Sequence, residues 1–264
     1  MPKTRLDVLL VERGLAETRS QAQRLVMAGE VRVDGQIMFK PATGVDSGAT
    51  LEVTSRPRYV SRGGDKLEAA LAAFGVNPSG RVCADVGSST GGFTDCLLQH
   101  GAGRVYAIDV GKGILDWKLR RDPRVVSMES TNARYLKSLP EPVSLVTVDT
   151  SFISLKIIFP VVQGWFGDQG GDTIALVKPQ FEAGRAVVAR GKGIVRDPQV
   201  HREVLLSVLG SAQESGQAVL GLVRSPLLGP KGNVEFLTWL KSWGESSLDL
   251  EEAVDAAVGI LDDD

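Results

Sequence analysis

The residues best suited to chemistry lie in one run, Asp85-Val86-Gly87-Ser88-Ser89-Thr90-Gly91-Gly92-Phe93, with Asp109 following 22 residues after Gly87. Glycines at 87, 91 and 92 let the backbone approach a ligand closely. The run lacks the Lys-Ser/Thr pair of a phosphate-binding P-loop, and its glycines do not follow the G-x-G-x-x-G spacing of a dinucleotide site. It carries instead a carboxylate, Asp85, two residues before the first glycine. Negative charge there repels a pyrophosphate and suits a cation, such as an ammonium or a sulfonium. A carboxylate at the position of Asp109 can accept both hydroxyls of a ribose. A ligand with an adenosine ribose, an amino acid end and no phosphate is S-adenosylmethionine. The expected cofactor contacts are therefore Asp85, Gly87, Ser88, Ser89, Thr90, Gly91, Gly92, Phe93 and Asp109. The bland alternative is a tight turn with Asp109 as a helix cap.

These residues need a frame. From residue 64 onward, short β-branched runs alternate with helical segments. The runs are RVCADVG, RVYAIDV, VVSME, VSLVTVD, DTIALVKP and QAVLGLVRS, and the helices DKLEAALAAFG, FTDCLLQHG, ILDWKLRRD, SLKIIFPVVQGWFG and DPQVHREVLLSVLGSAQESG. Near-continuous apolar strands between helices predict a three-layer α/β fold with a parallel sheet. NVEFLTWLK follows the sixth run without an intervening helix and is expected to pair with it as an antiparallel hairpin. In such sheets ligands sit beyond the carboxyl ends of the strands, where strand order reverses. Ahead of this lies a unit of about 55 residues: a helix over 3–15 with Leu6, Leu9, Leu10 and Val11 on one side, a second over 19–28 capped by Thr18, and a small sheet with a turn at Asp34-Gly35. SRPRYVSRGG (55–64) reads as the linker.

A length of 264 residues fits two domains, and 43% apolar with 23% charged residues excludes disordered and fibrous classes. The net charge of −2 conceals an asymmetry. Residues 241–264 hold eight acids against one base, which is −7, and the preceding 240 residues carry +5. Residues 245–260 are expected to form a C-terminal helix, whose acidity either aids solubility or repels RNA from one face. Two cysteines, Cys83 and Cys96, provide neither a disulfide framework nor a metal set, so small buried hydrophobes in a reducing, cytoplasmic compartment are expected. His100 and His201 show no ligand spacing and are read as capping or surface residues. No signal peptide or membrane span is expected, since no apolar stretch approaches the required length.

Longer motifs go further. YVSRGGDKLEAAL, DVGSSTGGFTDCLLQHGA, VDTSFISL, LVKPQFEAGR, GIVRDPQVH and GPKGNVEFL, preceded by RLDVLLVERGLAETRSQAQRLVMAGEVRVDG, resemble the TlyA-type ribosomal RNA methyltransferases along nearly the whole chain. The resemblance implies a small N-terminal α/β RNA-binding domain of the ribosomal-protein S-four type over 1–58. Over 59–264 it implies an α/β domain of the FtsJ/RrmJ type, with a Rossmann-like S-adenosylmethionine-dependent methyltransferase sheet. The implied reaction is methylation of ribose 2′-hydroxyls, with cytidines of ribosomal RNA as the usual targets. Ribosomal RNA and ribosomal subunits are then the partners, with no metal and no membrane.

The resemblance also implies a Lys-Asp-Lys-Glu tetrad, matched by Lys66, Asp149, Lys178 and Glu235. A 2′-hydroxyl is a weak acid, so its attack on a methyl group needs a residue that takes or shares its proton. Lys178 carries that role by resemblance, Lys66 and Glu235 position the hydroxyl, and Asp149 holds Lys178 and lies near the methyl. RNA phosphates are expected at Arg5, Arg19, Gln23, Arg24 and Lys40, along the linker at Arg56, Arg58 and Arg62, and on a long loop over 179–197 with Arg185, Arg190, Lys192 and Arg196, read as a lid. Phe93, Phe152 and Phe181 are candidates for lining the cofactor or flipped-base pocket, with core packing the alternative. Competing readings are an RNA-binding assembly factor without activity, a membrane-active hemolysin, and a nicotinamide-dependent oxidoreductase. The glycine spacing and Asp85 oppose the last.

Overall fold

A computed structural model of the chain describes residues 3–27, 29–53, 58–244, 246 and 248–259, without the side chains of Arg185, Ala186 and Arg190. It divides into two compact units, Met1–Arg58 and Tyr59–Asp264. Arg56 and the acids Glu245 and Asp262 to Asp264 lie outside the described residues.

In the first unit, β1 (Lys3–Arg5) leads directly into α1 (Leu6–Glu12), followed by α2 (Arg19–Met27), β2 (Val31–Val33), β3 (Gln36–Met38), β4 (Gly44–Asp46) and β5 (Leu51–Val53). The helix expected from residue 3 begins three residues later. Lys3–Arg5 instead pairs antiparallel with β4, Thr4 opposite Val45. That partner lies some forty residues away, so no local periodicity announces it. Gly14 takes a left-handed φ of 68° and ends the first helical region. Thr18 Oγ1 accepts the Gln21 N–H at 3.2 Å as the expected cap of α2. Asp34 and Gly35 both have positive φ, 48° and 81°, the signature of the tight turn joining β2 to β3. Leu6, Leu10, Ala22, Val26 and Val31 form the buried centre of this unit.

The second unit is built on a seven-stranded sheet. Its elements are α3 (Gly63–Phe74), β6 (Val82–Val86), α4 (Gly92–Gln99), β7 (Arg104–Ile108), α5 (Trp117–Arg120), β8 (Val125–Met128), β9 (Leu145–Val148), α6 (Leu155–Gln163), β10 (Asp172–Val177), α7 (Pro179–Glu182), α8 (Arg185–Arg190), α9 (Pro198–Glu214), β11 (Gln217–Arg224), β12 (Phe236–Ser242) and α10 (Leu250–Val258). Strand order is β11-β12-β10-β9-β6-β7-β8. The five strands from β10 to β8 are parallel. The expected hairpin of β11 and β12 forms, but β12 also inserts antiparallel beside β10, with Val177 opposite Phe236. Successive residues alternate between two cores. Ala84, Val86, Val146, Val148, Ala175 and Val177 pack toward α6 and α9, while Cys83, Val105, Ala107, Leu145, Ile174 and Leu176 pack toward α3 and α4. Both faces are thus dry, which is why the strands read as continuous apolar runs.

Several expectations change in detail. The segment ILDWKLRRD supplies only the four-residue α5, capped by Asp116, whose carboxylate accepts the Lys118 N–H. The stretch 179–197 is not a plain loop, since it folds into α7 and α8. The C-terminal helix is confined to Leu250–Val258, where Asp249 caps its start and Gly259 (φ 82°) its end. Its acids are partly committed to Arg202, which pairs with Asp255 at 2.6 Å and Glu251 at 3.0 Å. Cys83 and Cys96 are buried, and neither is in a disulfide. His100 caps the end of α4. His201, expected at a cap or the surface, is buried, and its Nε2 donates to the Val195 carbonyl at 3.0 Å. Burial lowers its pKa.

Candidate active site

The sheet reverses its winding between β6 and β9, so the turn after β6 opens into the crevice at the switch point. Gly87 (φ 83°) is required there, because a Cβ would sit 2.7 Å from the Asp149 carbonyl oxygen. A Cβ on Gly91 (φ 99°) would collide with Leu119. Ser89 adopts a left-handed φ of 50°, rare for a non-glycine residue, and its N–H donates to Asp109 Oδ2 at 2.8 Å. Gly111 N–H donates to the other oxygen at 2.7 Å. Asp109 is thereby held at the rim with acceptor capacity to spare.

Asp85 departs from expectation. Its carboxyl is fully buried and accepts hydrogen bonds from Thr94 Oγ1 at 2.6 Å and Thr147 Oγ1 at 3.2 Å. Burial pushes its pKa up to about 7. It lines neither cavity described next, so here it fastens the glycine turn to α4 and β9 and makes no direct face for a cation. Local sequence could not show this, because Thr147 reaches it from a strand 62 residues away.

Two cavities share this edge. One, of about 270 Å³, is bounded by Gly87, Ser89, Asp109, Asn132, Asp149 and Phe152. The other, of about 470 Å³, is bounded by Arg62, Lys66, Phe93, Asp149, Lys178 and Glu235, together with Ser88, Thr90 and Gly92. Gly87, Ser89 and Asp149 belong to both.

All four tetrad residues meet in the second cavity. Asp149 follows β9, and Lys178 follows β10. Glu235 precedes β12, and because β12 runs antiparallel to β10, its first residue lies at the same edge as the last of β10. Lys66 comes from the start of α3. The four form two ion pairs, Lys66 Nζ to Glu235 Oε2 at 2.5 Å and Lys178 Nζ to Asp149 Oδ1 at 2.6 Å. Both lysines are only 8% exposed and Glu235 1%. Burial raises the pKa of Asp149, opposed chiefly by the charge of Lys178.

Further residues support the tetrad that sequence reasoning did not single out. Ser151 Oγ lies 3.1 Å from Lys178 Nζ. Gln180 Nε2 donates to Glu235 Oε1 at 3.1 Å. A Cβ on Gly229 would collide with the Glu235 carboxylate. Asn233, 2% exposed, donates to the Gly193 carbonyl and accepts the Val195 N–H, both at 3.0 Å, tying the end of the 179–197 stretch beside Glu235. Ser151 and Gln180 sit inside recognisable motifs, which is the only signal they give.

The aromatic candidates separate. Phe93 is buried. Phe152 is 89% exposed, with a left-handed φ of 66° and its ring 4.7 Å from that of Phe181. Lys178 Nζ lies 5.8 Å from the Phe181 ring centre. Of the cationic candidates, Arg62 lines the second cavity, while Lys192 and Arg196 are exposed. The Arg185 and Arg190 side chains lie outside the description. In the first unit, Arg24 and Lys40 are exposed, whereas Arg5, Arg19 and Gln23 all converge on Asp7.

Residues 59–242 match the FtsJ-like methyltransferase family. The chain belongs to that family. Residues 4–51 match the S4 domain. Among relatives, the 16S/23S rRNA (cytidine-2′-O)-methyltransferase TlyA of Mycobacterium tuberculosis is 48% identical over 263 residues, covering 97% of each chain. Hemolysin A of Brachyspira hyodysenteriae is 40% identical over 243 residues, covering 88% of this chain and 98% of its own. A solved Streptococcus thermophilus structure, named as a hemolysin, superposes with a TM-score of 0.76 at 45% identity, covering 98% of this chain and 96% of its own. Among the described residues, no helix of this FtsJ-like chain is long and apolar enough to cross a membrane, and no group of three or more His, Cys, Asp or Glu side chains is placed to hold a metal.

Proposed function

We propose that the chain methylates ribose 2′-hydroxyls of ribosomal RNA, cytidine being the nucleotide, with S-adenosylmethionine as methyl donor. The observation that carries this reading is the pair of shielded Lys–carboxylate contacts in a cavity sharing Gly87, Ser89 and Asp149 with its neighbour. The likeness to a relative named for cytidine 2′-O-methylation supports the choice of substrate.

The site residues suit the cofactor. Gly87 leaves no room for a side chain, Asp109 keeps free acceptor capacity at the rim, and Asp149 stands between the cavities. Asp109 would hold the ribose, Asn132 and Ala133 would flank the base, and the turn Gly87–Thr90 with Asp149 would receive the amino acid end. Bound there, S-adenosylmethionine would supply a sulfonium methyl, whose bond to sulfur would be exchanged for one to the ribose oxygen.

The rest of the reaction belongs to the chain. Lys178 accepts the proton of the 2′-hydroxyl at Nζ, its neutral form being the competent one. Asp149 and Ser151 orient that nitrogen from two sides. Lys66, anchored by Glu235, donates to the ribose oxygens and fixes the angle of attack. Gln180 holds the second oxygen of Glu235. Phe152 offers an open ring on which an unstacked base can rest. Arg5, Arg19, Arg24, Lys40, Arg62, Arg190 and Lys192 supply phosphate contacts that position the RNA.

The test is transfer of labelled methyl from S-adenosylmethionine to purified ribosomal subunits, with 2′-O-methyl positions mapped. Lys178→Ala is expected to abolish transfer while cofactor affinity stays within a few-fold. Retained turnover sinks the proton-acceptor role. Absence of any 2′-O-methyl product from the unaltered protein favours the silent assembly factor.

A further inference from the structure

Asp7 is the second residue of α1, and its carboxylate is fully shielded from solvent. A buried carboxylate without donors is costly, so its surroundings must supply them. Arg5 donates Nε to Oδ1 at 3.0 Å and a terminal amino group to Oδ2 at 2.9 Å. Arg19 Nε reaches Oδ2 at 3.0 Å, and Gln23 Nε2 reaches the same oxygen at 2.8 Å. The end of β1, the first residue of α2 and the next turn of α2 are thus drawn to one anion. These charge-assisted contacts hold the Asp7 pKa far below the usual carboxylate range, the Arg5 hydrogen bonds contributing most.

The arginines are not consumed by this. Their side chains remain 45% and 56% exposed, and the N–H groups not used on Asp7 have no other partner among the described residues. A guanidinium fixed along one edge presents its remaining N–H groups in a planar fork that matches phosphate oxygens. A free arginine must surrender rotamer freedom to bind, and one already fixed has surrendered it on folding. The Asp7 N–H also donates to the Pro41 carbonyl at 3.0 Å, tying the stretch that carries exposed Lys40 to the same helix end.

We propose that Asp7 is a positioning residue for RNA, holding Arg5 and Arg19 with their outer edges presented to a backbone phosphate that the carboxylate itself never touches. The proposal rests on the reading of the N-terminal unit as an RNA-binding module. It makes a prediction of unusual sign. Removing an acid raises the net positive charge, which by field alone tightens RNA binding. Loss of the anchored fork weakens it.

The experiment measures binding of the full chain to purified large-subunit ribosomal RNA across a salt series, with thermal melts of every variant. Asp7→Asn is expected to bind about tenfold more weakly, with a salt slope shallower by about one, since each lost phosphate contact removes about 0.7 to 0.9 from the slope, the range from single-stranded to duplex nucleic acid. Partial unfolding alone lowers affinity by a constant factor and leaves the slope unchanged. Equal or tighter binding by folded Asp7→Asn overturns the proposal. If Asp7→Asn melts the module, Arg5→Lys with Arg19→Lys decides, because it keeps Asp7 and both charges but loses the forks. About fivefold weakening then supports the proposal, and unchanged affinity overturns it. Arg5→Ala with Arg19→Ala separates the underlying reading. Unchanged binding there overturns RNA binding by these residues altogether, whereas weakened binding there beside an unaltered Asp7→Asn overturns only the positioning role.

Discussion

The cavity edge of the methyltransferase unit and the start of α1 use opposite charges in opposite ways. At the cavity, Lys66 and Lys178 are themselves shielded, each held by its own carboxylate. At α1 the shielded group is the acid, Asp7, shared by two arginines that stay half exposed. Lysine is a compact cation whose proton is chemically removable, so it suits a place where a proton is exchanged. An arginine stays charged, so half-exposed arginines over a buried acid form a fixed cationic surface that suits a phosphate. On the proposed roles, the residue type at each place matches its task, lysine to move a proton and arginine to hold an anion.

The largest expected effect on this contrast comes from Lys178→Arg. It keeps the charge beside Asp149 and removes the ability to accept a proton, so kcat falls at least about a hundredfold while RNA affinity is unchanged. Activity near the unaltered level would erase the distinction. Gly229→Ala is expected to lower kcat by about tenfold, because its methyl group displaces the Glu235 carboxylate that holds Lys66, with cofactor affinity, read by calorimetry, unchanged.

Asp85→Asn probes a shielded acid that pairs with no cation among the described residues. Its folded pKa of about 7 lies above the ordinary 3.8. Its contribution to stability is therefore complete below about pH 4 and is lost as pH rises through about 7. The unaltered protein should melt on the order of 5 °C lower at about pH 8 than at about pH 5, and Asp85→Asn should remove most of that difference. A melting temperature equally pH-dependent in both proteins excludes Asp85 as the source. The smallest effect is expected at Lys192→Ala, about two- to threefold weaker RNA binding with a slightly shallower salt slope. An unchanged slope makes that residue structural.

Much of the frame was legible because two-sided burial leaves continuous apolar runs, and six of them became strands β6 to β11 with boundaries close to those expected. The tetrad was legible only through its motifs. Lys66 and Glu235 stand 169 residues apart, and nothing in their spacing announces a contact at 2.5 Å. The strand Gly44–Asp46, the insertion of β12 beside β10, and the burial of His201 were not legible, because each depends on a partner distant in the chain.

The amino-acid sequence by itself determined the division into two units, the alternating elements and the residue types available for the reaction, since these rest on local periodicity and side-chain chemistry; the task of each unit came from the resemblance of its motifs. Only the tertiary structure decided which charges are shielded and what each one meets. It turned Asp85 from a ligand for a cation into a buried clasp, and Asp7 from one acid among 32 into the hub of two arginines and a glutamine. Solvation and pairing depend on groups brought together from far along the chain, so they follow from the packed fold and not from the order of residues.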